Sequence, residues 1–348
     1  LREITVREKL THIALDLFSG HGWGVALNKL GVHEYAVDNM PEVNQTRLAN
    51  GMSAVTYENV WDVDKAEGLV FDTLIASPPC QTFSTANSNG TGRQALDQII
   101  ALIKAKAYKS VDELRAAGEE LGDDRTALVL APLHYIHRFL PEYVVLEQVP
   151  TVLPVWEAYK PVLEELGYNV WTGVLKAEQY GVPQTRKRAI LLASKHTTVS
   201  KPEPTHSQYF NREPYRLDAG LPSWVSIEDA LGRQEIPTTG EKVNYLKLGK
   251  QKGQAIRRVD TPAPTLAFGN DHGTPRWFNS RDHADAWKTF PEDWIHDVVD
   301  KFSLEEAGVL QSYPKGFTFE GNTMLKFRQI ANSVPPVLAE AILKEVWK

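Results

Sequence analysis

Between residues 12 and 194 the apolar positions gather in short runs, and each run breaks on a glycine, an acid or a cysteine. Residues 12–20 read HIALDLFSG, an apolar run of strand length carrying Asp16. Gly20, Gly22 and Gly24 follow before VALNKLG resumes helical spacing. That pattern predicts a strand, a tight turn and a helix. It recurs at EYAVDNMP (34–41), which reaches Asp38 and leads into the helix-like EVNQTRLANG. It returns at FDTLIASPPC (71–80), at EYVVLEQVP (142–150) after the amphipathic ALVLAPLHYIHRFL, and at RAILLAS (188–194). Strands rich in β-branched residues that alternate with helices predict an α/β class, with a mainly parallel, doubly wound sheet covered on both faces. Ligands of such sheets sit beyond the carboxyl ends of the strands. Gly20, Asp38, Cys80 and Glu147 all fall at such ends.

After Ser194 the rhythm stops. From Lys195 to about Asn322 the chain is rich in Pro, Gly, Trp and short polar segments, which predicts a second, smaller lobe at 195–322. The stretch PPVLAEAILKEVWK (335–348) has the spacing of an amphipathic helix. Within the second lobe, residues 240–258 carry Lys242, Lys247, Lys250, Lys252, Arg257 and Arg258 against one acid, Glu241. Such a run is usually a solvated face, and it is also the best candidate for a phosphate-contacting strip.

Composition sharpens this picture in two places. A net charge of −6 lacks the basic excess that nucleic-acid binders often carry, so any binding of a polyanion must come from a local basic cleft. The single cysteine excludes an internal disulfide framework and a metal site built from several thiolates. No metal is expected, and a reducing, cytoplasmic setting fits. The N-terminal LREITVREKL is too charged for a secretory signal, and no run of about 18 apolar residues suggests a membrane span.

Two strings carry chemistry on their own terms. DLFSGHGWG offers glycines for close backbone approach to a nucleotide-like ligand and a helix N-terminus beyond them, but its Gly20-x-Gly22-x-Gly24 spacing departs from the dinucleotide fingerprint G-x-G-x-x-G. Asp38 is placed either to accept hydrogen bonds from ribose hydroxyls or to cap the next helix. In SPPCQTFS (77–84) two prolines stiffen the strand exit and hold the Cys80 thiol at the ligand edge, where backbone N–H groups favour a thiolate. STANSNGTGRQALD, which follows, has the makeup of a mobile loop.

With these strings in view the sequence resembles the DNA cytosine-C5 methyltransferase family along almost its whole length. DLFSGHGW is similar to the family's AdoMet loop, PPCQTFS to its nucleophile motif, LEQVP to its glutamate motif and VPQTRKRAILLA to its Gln-x-Arg-x-Arg strand. RRVDTPAPTLAFG and RQIANSVPPVLAEAI resemble the later segments, in the family's order. The resemblance implies a Rossmann-like AdoMet-dependent methyltransferase fold. Its catalytic domain would be residues 1–194 plus 323–348, and its target-recognition domain 195–322. It implies S-adenosyl-L-methionine (AdoMet) held by Phe18, Gly20, Gly22, Asp38, Asn39, Asp62, Val63, Pro79, Asn332 and Ser333. It implies double-stranded DNA as partner of a monomeric enzyme, with Gln81, Ser84, Arg93, Lys250 and Arg257 at the DNA.

The chemistry agrees. C5 of cytosine is too weak a nucleophile to take a methyl group directly, and a soft thiolate adding to C6 would activate it, a task for Cys80. Glu147 would relieve the ring's new charge at N3. Arg188 would hold the cytosine O2 and Arg186 would steady the thiol or a phosphate, the two sharing one face of an alternating strand. Two positions depart from the family pattern: Glu147-Gln148-Val149 replaces Glu-Asn-Val, and Ala331-Asn332 replaces Gly-Asn, where a left-handed backbone would suit alanine poorly. Three other readings stay open: a transfer RNA cytosine methyltransferase, whose Cys-Phe-Thr string is missing, a nucleotide-binding oxidoreductase, and a non-catalytic DNA-binding homologue.

Overall fold

The computed structural model describes residues 12–79, 91–121, 124–212, 216–232, 245–249, 255–267, 275–278, 281–286 and 299–348. Among the described residues, eight strands lie in the first two thirds of the chain: β1 (Ile13–Leu17), β2 (His33–Val37), β3 (Val55–Tyr57), β4 (Thr73–Ala76), β5 (Tyr143–Gln148), β6 (Asn169–Lys176), β7 (Gln184–Thr185) and β8 (Lys187–Ser194). All but β7 form one sheet in the order β3-β2-β1-β4-β5-β8-β6. β1 to β5 pair in parallel, and β8 runs antiparallel to both β5 and β6. The α/β class and mainly parallel sheet are as the sequence predicted. The reversal of β8 was not, and it brings the start of β8, instead of its end, to the ligand edge.

Side-chain alternation divides the core. Leu15, Leu17, Leu74, Leu146 and Leu191 point to one face, where they meet Trp156 and Tyr159 of the helix Leu153–Glu165 and Leu133 and Ile136 of the helix Ala131–Phe139. Ala14, Ile75, Val145, Ile190 and Leu192 point to the other, against Trp23 and Leu27 of the helix Gly22–Lys29 and Leu338, Ile342 and Val346 of the helix Pro336–Val346. Burial on both faces explains why these strands read as continuous apolar runs. The last helix is further held by Lys29 Nζ on Glu340 Oε2 (2.7 Å) and Trp347 Nε1 on Thr73 Oγ1 (3.0 Å).

The later part of the chain builds β9 (Tyr245–Lys247), β10 (Ile256–Arg258), β11 (Ala263–Pro264), β12 (Arg276–Phe278) and β13 (Val299–Lys301). Four of them form a small antiparallel sheet, β10-β9-β12-β13, while β11 pairs with β7. Leu246 and Trp277 of this sheet share a buried cluster with Phe327 and Ile330 of the helix Thr323–Asn332, which thus lies at the seam between the two sheets. Among the described residues no helix is long and apolar enough to cross a membrane.

Candidate active site

The glycine loop begins where β1 ends. Phe18 takes φ +58°, a left-handed conformation that costs a non-glycine residue on the order of 1 kcal/mol, and Gly20 takes φ +47°. Asp38, just past β2, fastens the loop: Oδ2 accepts from Gly20 N (3.0 Å) and Oδ1 from Met40 N (3.0 Å). Burial raises the Asp38 carboxyl above its ordinary range, and these two hydrogen bonds oppose the shift. From β4 the chain turns through Ser77, whose Oγ accepts from Trp23 Nε1 (2.9 Å), into Pro78 and Pro79. At the end of β5, Gln148 donates to the Pro78 carbonyl (2.5 Å) and accepts from Val149 N.

Antiparallel β8 starts beside that end, which places Arg188 Nε 2.7 Å from Glu147 Oε1. Both are largely buried. A cavity of about 530 Å³ gathers these groups, with Phe18, Gly20, Gly22, Asp38, Asn39, Pro79, Glu147, Arg188, Asn332 and Ser333 in its lining. Gly20 presents its missing side chain to open space: an added Cβ would meet no atom within 4 Å.

Four of the predicted residues stand elsewhere. Arg186 precedes β8 and does not line the cavity. It is 1% exposed, and Nη2 donates to the carbonyls of Ala331 (2.7 Å) and Ser333 (3.0 Å), so it holds the closing turn. Asp62 pairs with Lys65 (2.9 Å) and lines an adjoining cavity that also contains Asp38 and Asn39. Val63 is buried in the main core. Arg257, on β10, has its guanidinium over the Tyr209 ring, 5.5 Å from the centroid. Cys80, Gln81, Ser84 and Lys250 lie outside the described residues, as does the side chain of Arg93, which falls on the helix Thr91–Lys104. That helix covers the second half of the stretch predicted as a mobile loop. Among the described residues no group of three or more His, Cys, Asp and Glu side chains is placed to hold a metal ion.

Comparison with known proteins decides the family. The description "C-5 cytosine-specific DNA methylase" matches residues 116–348. The chain is a DNA cytosine-5 methyltransferase of this family. It is 32% identical to the type II methyltransferase M1.HgaI of Avibacterium volantium over 79% of this chain and 78% of that one. With the type II methyltransferase M1.HphI of Haemophilus parahaemolyticus it shares 25% identity over 97% of this chain and 87% of the other. A solved mutant form of the DNMT2 of Spodoptera frugiperda superimposes with a TM-score of 0.63 at 18% identity, covering 97% of this chain and all (100%) of that one, a likeness of fold.

Both departures from the family pattern have a physical account in this methyltransferase. Gln148 still spans from the end of β5 to the Pro78 carbonyl. Ala331 sits inside the helix Thr323–Asn332 and needs no left-handed backbone, so alanine, the best helix former, suits it. His21 is a site residue that sequence reasoning passed over, because a histidine between two glycines has no motif of its own. It lines the cavity and is 1% exposed, and burial, then the nearby Arg47 guanidinium, lowers its pKa to about 3. At neutral pH its imidazole carries no charge. Above pH 6.5 the folded and unfolded chains both hold it neutral; below 6.5 only the unfolded chain takes up the proton, so stability is lost as pH falls toward 3, by about 1.4 kcal/mol per pH unit. His21→Asn is expected to flatten the fall in unfolding free energy between pH 6.5 and pH 5, measured by urea titration. An unchanged slope would contradict the assignment.

Proposed function

We propose that this methyltransferase uses AdoMet to methylate C5 of cytosine in duplex DNA, on a flipped base held covalently by Cys80. The observation that carries the reading is the single cavity in which the glycine loop, Asp38 and the Glu147–Arg188 pair all meet. The residues fit a methyl donor with an adenosine part. Gly20 opens its backbone to the cavity, with no atom within 4 Å of where a Cβ would stand, and the Asp38 oxygens, each holding one backbone N–H, keep lone pairs for ribose hydroxyls. Phe18, Gly22, Asn39, Pro79, Asn332 and Ser333 complete the assignment, and Arg186 supports it from behind by holding the Ala331 and Ser333 carbonyls. AdoMet supplies a methyl group on a sulfonium that departs as a neutral thioether.

The chain's own residues do the rest. The Cys80 thiolate bonds to C6, and the electron pair of the C5–C6 double bond becomes available at C5 for the methyl group. Glu147 relieves the charge at N3 by hydrogen bond or proton transfer, oriented by Arg188, which also offers N–H groups to O2. Loss of the C5 proton to a base or water re-forms the double bond, and the S–C6 bond breaks to release the thiolate. The target base must leave the duplex to reach such a cavity. Gln81, Ser84, Arg93, Lys250 and Arg257 are assigned to the DNA. Residues 1–194 with 323–348 form the catalytic domain in this reading, and 195–322 the target-recognition domain, supported by the packing of the last helix on the first. The type II designation of both relatives supports a place in restriction–modification.

The test is incorporation of tritiated methyl groups from AdoMet into unmethylated genomic DNA and, separately, into transfer RNA, with bisulfite sequencing of the DNA product. Label is expected in duplex DNA at cytosine. Label confined to transfer RNA, or absent from both, would refute the reading.

A further inference from the structure

Beneath the glycine loop lies a buried polar cluster that the chemistry above leaves unused. Arg47, on the helix Pro41–Ala49, is 0% exposed. Its guanidinium makes three divergent hydrogen bonds: Nη1 to the Gly20 carbonyl (3.0 Å), Nε to the Ser53 carbonyl (2.8 Å) and Nη2 to Glu34 Oε2 (2.5 Å). Glu34 projects from β2 and is 5% exposed, and Asp16, 0% exposed, lies on the neighbouring β1, where Ala14 is the register partner of Glu34. Alternation puts Asp16 on the Ala14 face, beside the Glu34 carboxylate. Space for the cluster depends on Gly24: an added Cβ would stand 2.9 Å from Glu34 Oε2 and 3.0 Å from Arg47 Nη1.

A guanidinium withdrawn from water is costly unless its charge is matched and its donors are used. Here both conditions hold. Burial first, and the Glu34 carboxylate second, push Asp16 well above the usual carboxylate range, which favours its uncharged form. The Arg47 guanidinium and the Glu34 carboxylate pair directly beside it. What this balanced unit holds is one residue of the loop. The N–H of Gly20 is pinned by Asp38 and its carbonyl by Arg47, at a backbone conformation that glycine alone would not favour over others. The preceding residue, Thr46, donates to Gln329 Oε1 (2.8 Å) on the closing helix, so a single helical turn grips both sides of the cavity rim.

We propose that Arg47 is a positioning residue for the methyl-donor site: it fixes the Gly20 carbonyl, and through it the glycine loop, without itself lining the cavity. The proposal rests on the AdoMet reading above. Two variants test it in the full chain. Arg47→Lys keeps a cation beside Glu34 but cannot make three divergent bonds; Arg47→Met combined with Glu34→Gln removes both charges together. In whichever variant folds, the AdoMet Kd by calorimetry is expected to rise about tenfold while kcat at saturating AdoMet stays within about threefold of the parent, because preorganisation of the loop is lost and the reacting groups are untouched. An unchanged Kd overturns the proposal, and so does a fall in kcat with Kd intact. If thermal melts show that neither variant folds, Arg47 is a determinant of the fold and the positioning role fails. Failure of the parent protein to bind AdoMet would instead sink the cofactor reading, a result visible before any variant is made.

Discussion

Cys80→Ser is expected to abolish methyl transfer, by at least about a thousandfold in kcat, while leaving the AdoMet Kd unchanged. A thiol ionises within reach of neutral pH and its sulfur is soft, so it adds readily to the electron-poor C6; a serine hydroxyl, some five or more units less acidic, on the order of its pKa in water, offers almost no anion for the same addition. The direct readout is covalent. On a duplex containing 5-fluorocytosine, C5 carries fluorine where the departing proton should be, so after methyl transfer the double bond cannot re-form and the S–C6 bond persists. The parent enzyme is expected to give an AdoMet-dependent, detergent-stable protein–DNA complex, and the serine variant none. A complex that survives the substitution would remove the nucleophile from this position.

Gly22→Ala is expected to cost about 3 kcal/mol or more of folding stability and to weaken AdoMet binding at the same time. The added Cβ would stand 2.0 Å from the Val334 carbonyl oxygen and 3.0 Å from its carbon, both backbone atoms held between the two closing helices. Nothing flexible is available to yield, so the closing segment must retreat and take Asn332 and Ser333 away from the cavity rim with it. Gly24→Ala is expected to act on a different part of the loop: the terminal methyl of Met52, 2.3 Å from the added carbon, can swing aside, but the buried Glu34 and Arg47 side chains stand 2.9 and 3.0 Å away, so the strain falls on the cluster beneath the loop and not on the closing segment. Urea unfolding and calorimetric titration would check both. A Gly22→Ala protein within about 0.5 kcal/mol of the parent would show that the two segments do not approach so closely.

The second case also explains what sequence can and cannot reveal. Gly22 has no positive φ, and its requirement comes from a backbone that approaches from the far end of the chain, which no local pattern announces. Patterns that depend on neighbours in sequence were legible: β1, β2, β4 and β5 read as apolar runs because both of their faces are covered. β6 did not, since NVWTGVLK lies at the sheet edge with most of its residues only half buried. The run RAILLAS was recognised as a strand, but its direction is set by the route through β6 and β7, and that direction is what brings Arg188 to Glu147. Arg186 was legible as part of a motif, but the bonds its guanidinium gives to carbonyls of the closing turn span some 145 positions, which no local pattern announces. Arg47 gave no signal at all, because an arginine in the middle of a polar helix reads as solvated until its three acceptors are known.

The embrace of the first helix by the last has a consequence for the order of events during synthesis. Lys29 and Glu340, joined at 2.7 Å, are 311 positions apart, and one side of the donor pocket comes from the same distant segment. Contacts of such long sequence separation form late and slowly. On the ribosome, the nascent chain would expose its glycine loop without a partner until that segment had emerged. An unfinished polypeptide therefore carries Glu147 and Arg188 but lacks the wall of the cavity that Asn332, Ser333 and Val334 supply, and the cavity is completed only once translation has passed that point.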